Sequence, residues 1–447
     1  MSSIAVTLLL VIACAFVAAH PKRMWELTVL LILAYPQNLL YGLLPLNIGL
    51  DDLLIVFTGA RYMFWDRPVL RLYPPRTFSL GIVVAFLAMF TISNATGSFL
   101  FPELWNDTIK DCLKFCCVIL FVFSTRIRIA TADDCMVVIR VLAIGSIIAG
   151  LIVVLCYFVP AVEIMCEVYK SEGLRESLVL NRFGRGTHRV LGTFLSPDGV
   201  GVFACLMIPF FVALLASKRL SLEDRLLLMV ASIAIAVALL MSKSRSGLAG
   251  LSVGVIGLST WSIFTLQNKR FAMQLFTALA VAGAVLATLL VARPELGSAL
   301  AARLTIENME TTGMRLEVWQ MATSSLSLDM LFFGAGAKAF SATRYCTPHS
   351  SYLDMFLLWG VGGVIITVTF YFRLFRSSLR AISRGKSTKT FGGTIGIGVL
   401  WSTVACLVFG IFADLWFISF YQFFVFVMLC LVEQVNVIQE QDALNSE

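Results

Sequence analysis

The sequence predicts an all-α, polytopic integral membrane protein with about 12 to 13 transmembrane helices and a long extracytoplasmic loop that contains short helices. Of the 447 residues, 59% are apolar and only 14% are charged, whereas soluble domains have roughly 45–50% apolar and about 25% charged residues. Apolar runs of about 17 residues or more, long enough to cross a bilayer, recur along the chain. Lys and Arg gather in alternate connections between these runs, which is typical of chains that cross a membrane several times.

The apolar runs place thirteen candidate spans in one transmembrane helical domain, residues 1–447. The first run has no Lys or Arg before it and the cluster His20-Pro21-Lys22-Arg23 after it, the reverse of a secretory signal, so we expect it to be retained. The spans lie near residues 3–19, 25–45, 50–65, 78–97, 109–124, 136–160, 192–216, 226–241, 247–266, 271–292, 351–372, 392–413 and 415–432.

The connections between the spans differ in charge. Alternate connections hold 19 of the 34 Lys and Arg residues, and the last of them, residues 373–389, is rich in arginine. Because such connections face the cytoplasm, we expect the chain to end inside the cell, with residues 433–447 as a solvated acidic tail. The charge excess of +7 therefore indicates membrane orientation and not a nucleic-acid partner.

Two long segments are predicted on the external side, residues 161–191 as the first loop and residues 293–350 as the second. Within the second loop, residues 314–322 place apolar side chains on one side at helical spacing. This pattern is typical of a short helix lying on a membrane surface, where it could cover a site.

Ionisable side chains near the spans are concentrated at the predicted external ends. They are Lys114, Asp198, Lys243, Arg245 and Asp354, each within about two helical turns of an end. Channels and transporters typically carry such groups near the midplane. This distribution favours an enzyme that meets a lipid-linked substrate at the external leaflet over a pump with alternating access.

The external loops are rich in Arg and Lys, and this leaves two interpretations open. The cations could be solvated loop charges, or they could form a pocket for an anion such as a diphosphate, which Arg binds through two parallel hydrogen bonds. No Asp-x-Asp metal motif occurs in the sequence. An enzyme without a metal or another cofactor would need these cations to offset charge on a leaving diphosphate.

Cysteine usage predicts neither a metal site nor a disulfide framework. The 11 cysteines are an odd number, and most lie in apolar runs, where they pack as small hydrophobic residues. Cys166 and Cys346 lie in the two external loops and could pair with each other.

Five segments between residues 189 and 363 resemble, in order, the conserved half of the O-antigen ligase and O-antigen polymerase superfamily. Ser350 and Asp198-Gly199 depart from the usual Asn and from the usual Asn or His. The segments are Arg189-Val190-Leu191-Gly192-Thr193-Phe194; Ser244-Arg245-Ser246-Gly247, similar to a Ser-Arg-Gly-Ala turn; Gly313-Met314-Arg315 with Trp319 and Ala322; Phe333-Gly334-Ala335-Gly336 with Phe340; and His349-Ser350-Ser351-Tyr352-Leu353 with Gly360 and Gly363.

The resemblance implies an inverting, metal-independent glycosyltransferase of the bacterial inner membrane, with its active site on the periplasmic side. Its expected partners are a glycan donor on undecaprenyl diphosphate, a glycan or lipid acceptor, membrane lipid and other polysaccharide assembly proteins. It would extend or ligate O-antigen or exopolysaccharide. Carried over onto matching positions, Arg189, Arg245 and Arg315 would bind the diphosphate and His349 would act as general base.

Each of these roles has an alternative. Arg245 could be an interfacial arginine whose charged end reaches water, and Arg189 and Arg315 could pair with Glu172 and Glu317. His349 could cap the following span. The remaining candidates are His188 as a competing base, Arg303 as a further cation, and Asp51 with Asp52 as an acid/base pair or a helix cap.

Two other classes of protein also fit the sequence. One is a transporter of polysaccharide or of lipid-linked oligosaccharide, and the other is a non-catalytic membrane scaffold. Formation of a glycosidic bond separates the enzyme from both.

Overall fold

The structure is a computed structural model in which the longer described ranges are residues 23–34, 50–64, 78–100, 102–159, 196–265, 328–336, 350–385, 390–413 and 419–444. Shorter described stretches are residues 12, 15–17, 19–20, 161–163, 166, 190, 192–194, 317, 319–320 and 415. These residues form helices and turns and no strands, which confirms the predicted all-α class.

Twelve α-helices are described. They are α1 (Met24–Ala34), α2 (Leu50–Phe64), α3 (Phe78–Leu100), α4 (Trp105–Arg128), α5 (Ala132–Phe158), α6 (Pro197–Leu214), α7 (Leu222–Ser242), α8 (Arg245–Thr265), α9 (Leu328–Phe333), α10 (Ser351–Arg384), α11 (Phe391–Phe412) and α12 (Ser419–Leu444), with a 3-10 helix at Pro102–Leu104. The short helix α9 lies in the second predicted loop and contacts α3 and α10.

Within the described part of the chain, seven helices are long and apolar enough to cross a membrane: α3, α5, α6, α7, α10, α11 and α12. This finding confirms a multi-pass membrane protein. The predicted span at residues 271–292 lies outside the described residues, as does most of the span at 3–19. The other predicted spans each correspond to a helix, described in full or in part.

The last helices are longer than hydropathy predicts. Helix α10 continues past residue 372 to Arg384, and α12 continues past residue 432 to Leu444. The prediction of a solvated tail from residue 433 is therefore wrong, because Glu433 and Gln434 are buried. A hydrogen bond joins the two extensions, since Asn436 Nδ2 of α12 donates to Ser377 O of α10 at 2.9 Å.

The start of α6 also differs from the prediction. The predicted span begins at residue 192, but Gly192 has a φ of +57° and α6 begins at Pro197. Ser196 is the N-cap, and its side chain accepts a hydrogen bond from Gly199 N at 3.1 Å. A serine cap followed by proline at the first helical position is a strong helix start, which hydropathy alone does not locate.

The core is centred on α6, which is buried from Gly199 to Leu214 and packs against α7, α8 and α11. Glycines along α8 allow this packing. A Cβ added to Gly250 would lie 2.5 Å from Ala405 O and 2.9 Å from Cys205 Sγ. In membranes, small residues of this kind let helix backbones approach closely and gain van der Waals contact.

Ion pairs gather at one end of the helix bundle, which we call the basic end. They join Arg128 with Glu26 and Asp134, Arg140 with Asp224, Arg219 with Asp133, and Arg384 with Glu440. The pairs connect α1, α4, α5, α7, α10 and α12 near the arginine-bearing connections. Arg128, Arg219 and Arg384, which belong to connections predicted to be cytoplasmic or flank them, therefore lie at one end of the bundle. That this end faces the cytoplasm stays a prediction.

Helices α6, α8 and α10 begin at the opposite end, which we call the serine-rich end. Its serines are Ser196, Ser244, Ser246, Ser350 and Ser351. The starts of these three helices therefore bring a cluster of serine hydroxyl groups to this end of the bundle.

Gly250→Ala should destabilise the bundle, because the added methyl group would press on the backbone of α11. Overpacking of this kind typically costs about 1–3 kcal/mol. Gly81→Ala is the matched control, since a Cβ there meets nothing within 4 Å and loss of a helical glycine stabilises by roughly 0.5–1 kcal/mol. Thermal unfolding in detergent measures both variants, and equal midpoints would contradict the described packing of α8.

Candidate functional site

Among the predicted site residues, the structure describes Arg245. The others, Arg189, His188, Arg303, Arg315 and His349, lie outside the described residues, so their roles stay predictions. Neighbours in the sequence are described for three of them, namely Val190 after Arg189, Glu317 after Arg315 and Ser350 after His349.

Arg245 is the first residue of α8, directly after a tight reversal of the chain. Lys243 caps the end of α7 in the left-handed conformation, with φ 54° and ψ 34°, and is buried. A lysine in this conformation is uncommon and costs of order 1–3 kcal/mol, which the surrounding structure must offset. The reversal leaves Arg245 half-buried between two helix ends.

Asp198 binds the residues on both sides of Arg245. Its Oδ1 accepts a hydrogen bond from Ser244 Oγ at 2.8 Å and another from Ser246 Oγ at 3.2 Å. Ser244 Oγ also accepts from Gly247 N at 3.3 Å and so caps the first turn of α8. The first turn of α6 therefore holds the first turn of α8.

Two glycines make this contact possible. A Cβ on Gly247 would lie 2.6 Å from Gly201 Cα, and a Cβ on Gly201 would lie 2.6 Å from Ser244 Oγ. The N-termini of α6 and α8 therefore meet at the same corner. Both present the positive ends of their helix dipoles there, an arrangement that favours an anionic group.

The segment that follows Arg189 is anchored at this end of the bundle. Gly192 lies against Val153 of α5, and Val190 is fully buried. The Phe194 ring packs on Phe203 of α6, with 5.4 Å between ring centroids. Arg189 directly precedes Val190 in the sequence, and its own position stays a prediction.

The start of α10 is tied to the end of α11. Ser351 Oγ donates to Ala413 O at 2.6 Å and accepts from Leu415 N at 2.6 Å. The last turn of α11 also faces Gly201, since a Cβ there would lie 3.0 Å from Phe409 Cε2. The structure thus brings the segment that follows His349 and the turn that bears Arg245 to one end, on either side of the last turn of α11.

A Gly-Ala-Gly segment, residues 334–336, donates backbone hydrogen bonds at a break in α10. Gly360 has φ 65° and ψ −167°, which interrupts the helix. The Leu357 and Leu358 carbonyls before the break accept from Ala335 N at 2.9 Å and Gly336 N at 3.0 Å. The hydroxyl of Ser93 in α3 also donates to Leu358 O. Unsatisfied carbonyls are costly in a membrane interior, so this segment stabilises the broken helix.

Positive φ explains the two glycines of this motif. Gly334 has φ 76° and Gly336 has φ 72°. A Cβ on Gly336 would also lie 2.9 Å from Asn94 Cα. The sequence motif identified these glycines, but neither their contact with α10 nor the part played by Ser93 left a signal in the sequence.

The remaining candidates have the following positions. Asp51 and Asp52 lie in the first turn of α2, where Asp52 is buried. Cys166 Sγ lies 3.7 Å from Cys156 Sγ, and Cys346 lies outside the described residues, so a pair between Cys166 and Cys346 stays a prediction. Glu317 is helical and exposed, in agreement with a helix in the second loop.

Gly360→Ala should lower both thermal stability and activity. A side chain at this backbone conformation is strained by about 1–3 kcal/mol, and its Cβ would also press on Phe332 O. Gly362→Ala is the matched control two residues away, because its Cβ would meet the flexible Met89 Sδ at 2.7 Å. Unfolding midpoints in detergent compare the variants, and an equally mild effect at both positions would argue against the broken helix.

Comparison with protein families gives a match in the second half of the chain. Residues 230–368 match the sequence profile of the O-antigen ligase family. No curated protein matches the chain in sequence. The matched range contains Arg245, Arg303, Arg315, the Gly-Ala-Gly segment and His349, while Asp198 and Arg189 precede it. The match over residues 230–368 confirms the resemblance to the O-antigen ligase and O-antigen polymerase superfamily.

Proposed function

We propose that this protein is a glycosyltransferase that takes a glycan from undecaprenyl diphosphate and uses it to extend or ligate a surface polysaccharide. The family match supports a ligase or polymerase type of activity in polysaccharide assembly. The observation that carries the proposal for the site is the position of Arg245, where the N-termini of α6 and α8 meet.

This corner has the chemistry that a diphosphate needs. Arg245 supplies a permanent positive charge and several N–H donors, and the two helix N-termini add partial positive charge. Arg189 and Arg315 are proposed to complete the cationic set, with Arg303 as a further candidate. Charge that develops on the leaving diphosphate would then be offset without a metal ion.

In the proposed reaction, an acceptor hydroxyl oxygen attacks the anomeric carbon of the donor glycan from the face opposite the diphosphate. The new glycosidic bond forms as the bond between that carbon and the diphosphate oxygen breaks, so the configuration inverts. Undecaprenyl diphosphate leaves with the bonding electron pair. His349 accepts the proton of the acceptor hydroxyl, and His188 is the competing base.

The serine-rich end is proposed to face the periplasm of a bacterial inner membrane. The ion-paired arginines Arg128, Arg219 and Arg384 lie at the other end of the bundle, and arginine-rich connections favour the cytoplasm. A site at the end of a helix suits a substrate that is part lipid and part sugar, because the polyprenyl chain can stay in the bilayer while the glycan stays in water.

A transporter of lipid-linked oligosaccharide is the second candidate, and one observation favours it. The break in α10 at Gly360 is typical of the discontinuous helices that line transporter sites. The two functions differ in product, since a transporter moves the donor across the membrane without making a glycosidic bond. The assay below therefore separates them.

Arg245→Ala should reduce transfer in liposomes that contain the purified protein, undecaprenyl diphosphate-linked glycan and an acceptor. Loss of one charged hydrogen-bonding partner costs about 1.5–3 kcal/mol, or roughly 10- to 150-fold in rate. Arg245→Lys should recover little, because Lys lacks the planar fork. Product is measured by mass spectrometry with and without a chelator.

The control is Arg380→Ala, an exposed arginine on the part of α10 near the basic end. It should leave transfer unchanged. Full activity of Arg245→Ala, or complete loss of activity in chelator, would contradict metal-free diphosphate binding. Donor movement without any product would favour the transporter.

His349→Ala should reduce product by at least about 100-fold, because general base catalysis typically contributes 10²- to 10⁴-fold. An unperturbed imidazole titrates near pH 6.5 and can accept a proton at neutral pH. His188→Ala should have a milder effect. Both variants are compared in the same liposome assay with donor binding measured separately; a near-normal rate for His349→Ala beside an inactive His188→Ala would assign the base to the first loop.

A further inference from the structure

We infer that Asp198 is a positioning residue that fixes Arg245 for binding of the diphosphate. This inference rests on the proposed function and adds a residue outside the matched range 230–368 to the same site. Asp198 acts through Ser244 and Ser246, the two neighbours of Arg245 in the chain.

The hydrogen bonds of Asp198 are the means by which it would position Arg245. One carboxylate oxygen of Asp198 accepts both serine hydroxyls, at 2.8 and 3.2 Å. Because Ser244 Oγ donates its proton to Asp198, its lone pair is available for Gly247 N at 3.3 Å. These hydrogen bonds hold the backbone of Arg245 on both sides. The side chain that carries the guanidinium group therefore extends from a backbone position that is fixed.

Burial strengthens this constraint. Ser244 is 0% exposed and Ser246 is 8% exposed, so water competes little for their hydroxyl groups. Loss of the acceptor would leave buried donors unsatisfied, which usually forces a local rearrangement. The rearrangement would occur at the turn that carries Arg245.

The bundle has other contacts that hold α6 in place. Gly201 and Gly247 meet through their backbones, Gly250 contacts Ala405 and Cys205, and Ser402 Oγ donates to Leu206 O at 2.6 Å. The apolar face of α6 is buried along its length. Removal of the carboxylate should therefore move the turn without unfolding the helices.

A carboxylate also lowers the local positive potential, which by itself would weaken anion binding. Its first-turn position in α6 is favourable, because the helix dipole stabilises a negative group there. Since both hydrogen bonds reach Oδ1, an amide oxygen at the same place could accept both. The asparagine variant thus separates the role of the hydrogen bonds from the role of the charge.

The test is a double-mutant cycle in the liposome assay. Asp198→Ala should reduce transfer by about 10-fold or more when Arg245 is present and by less than about 3-fold in the Arg245→Ala background, since coupled residues are not additive. Asp198→Asn should recover most of the activity. Gly250→Ala, a packing variant, should have the same effect in both backgrounds.

A second measurement does not depend on turnover. We expect phenylglyoxal to modify Arg245, and inorganic pyrophosphate should slow this reaction in the unaltered protein and in Asp198→Asn but not in Asp198→Ala. Modification is followed by peptide mass spectrometry, with Arg380 as the internal standard.

The outcomes separate the two proposals. Absence of product from the unaltered protein would count against the proposed function, while the pyrophosphate measurement would still decide the role of Asp198. Equal protection of Arg245 in Asp198→Ala, or additive losses in the cycle, would overturn the positioning role.

Discussion

The contact between the first turns of α6 and α8 is the constraint on which the candidate site depends. Gly201 and Gly247 let the two backbones touch, and only then can Asp198 reach both serines. The left-handed Lys243 turns the chain sharply enough for α8 to begin there. Backbone packing, polar bonding and the position of Arg245 therefore form one arrangement, in which a change in any part would displace the cation.

The need for every backbone carbonyl group to accept a hydrogen bond explains a second set of motif residues. A helix that breaks inside a bilayer exposes carbonyl groups that lipid cannot bind. In α10, the N–H groups of Ala335 and Gly336 and the hydroxyl of Ser93 take the place of the missing helical donors. Ala335 and Gly336, near the end of the second loop, are therefore bound to the helix that begins at Ser351.

Hydropathy predicted the helices of the bundle well, because long apolar runs can satisfy their backbones only as helices. It failed at the ends of α10 and α12, where Arg384 and Glu440 pair beyond the apolar region. The motif predicted a turn between two spans at Ser244-Arg245, and the structure has a reversal there with α8 beginning at Arg245. The motif could not predict the link to Asp198, since a contact between residues 46 to 48 positions apart leaves no local pattern. The same limit applies to Cys156 and Cys166, whose proximity depends on how the chain turns after α5.

The last turn of α11 connects the two halves of the candidate site. It faces Gly201 on one side through Phe409 and Ser351 on the other through Gly410. Ser351 is two residues after His349 in the sequence, and Gly201 is three residues after Asp198. The start of α10 and the start of α8, which bears Arg245, therefore share one buried support. Because packed interiors deform little, this support would fix the separation between the two helix starts, as the proposed in-line displacement at one carbon atom requires.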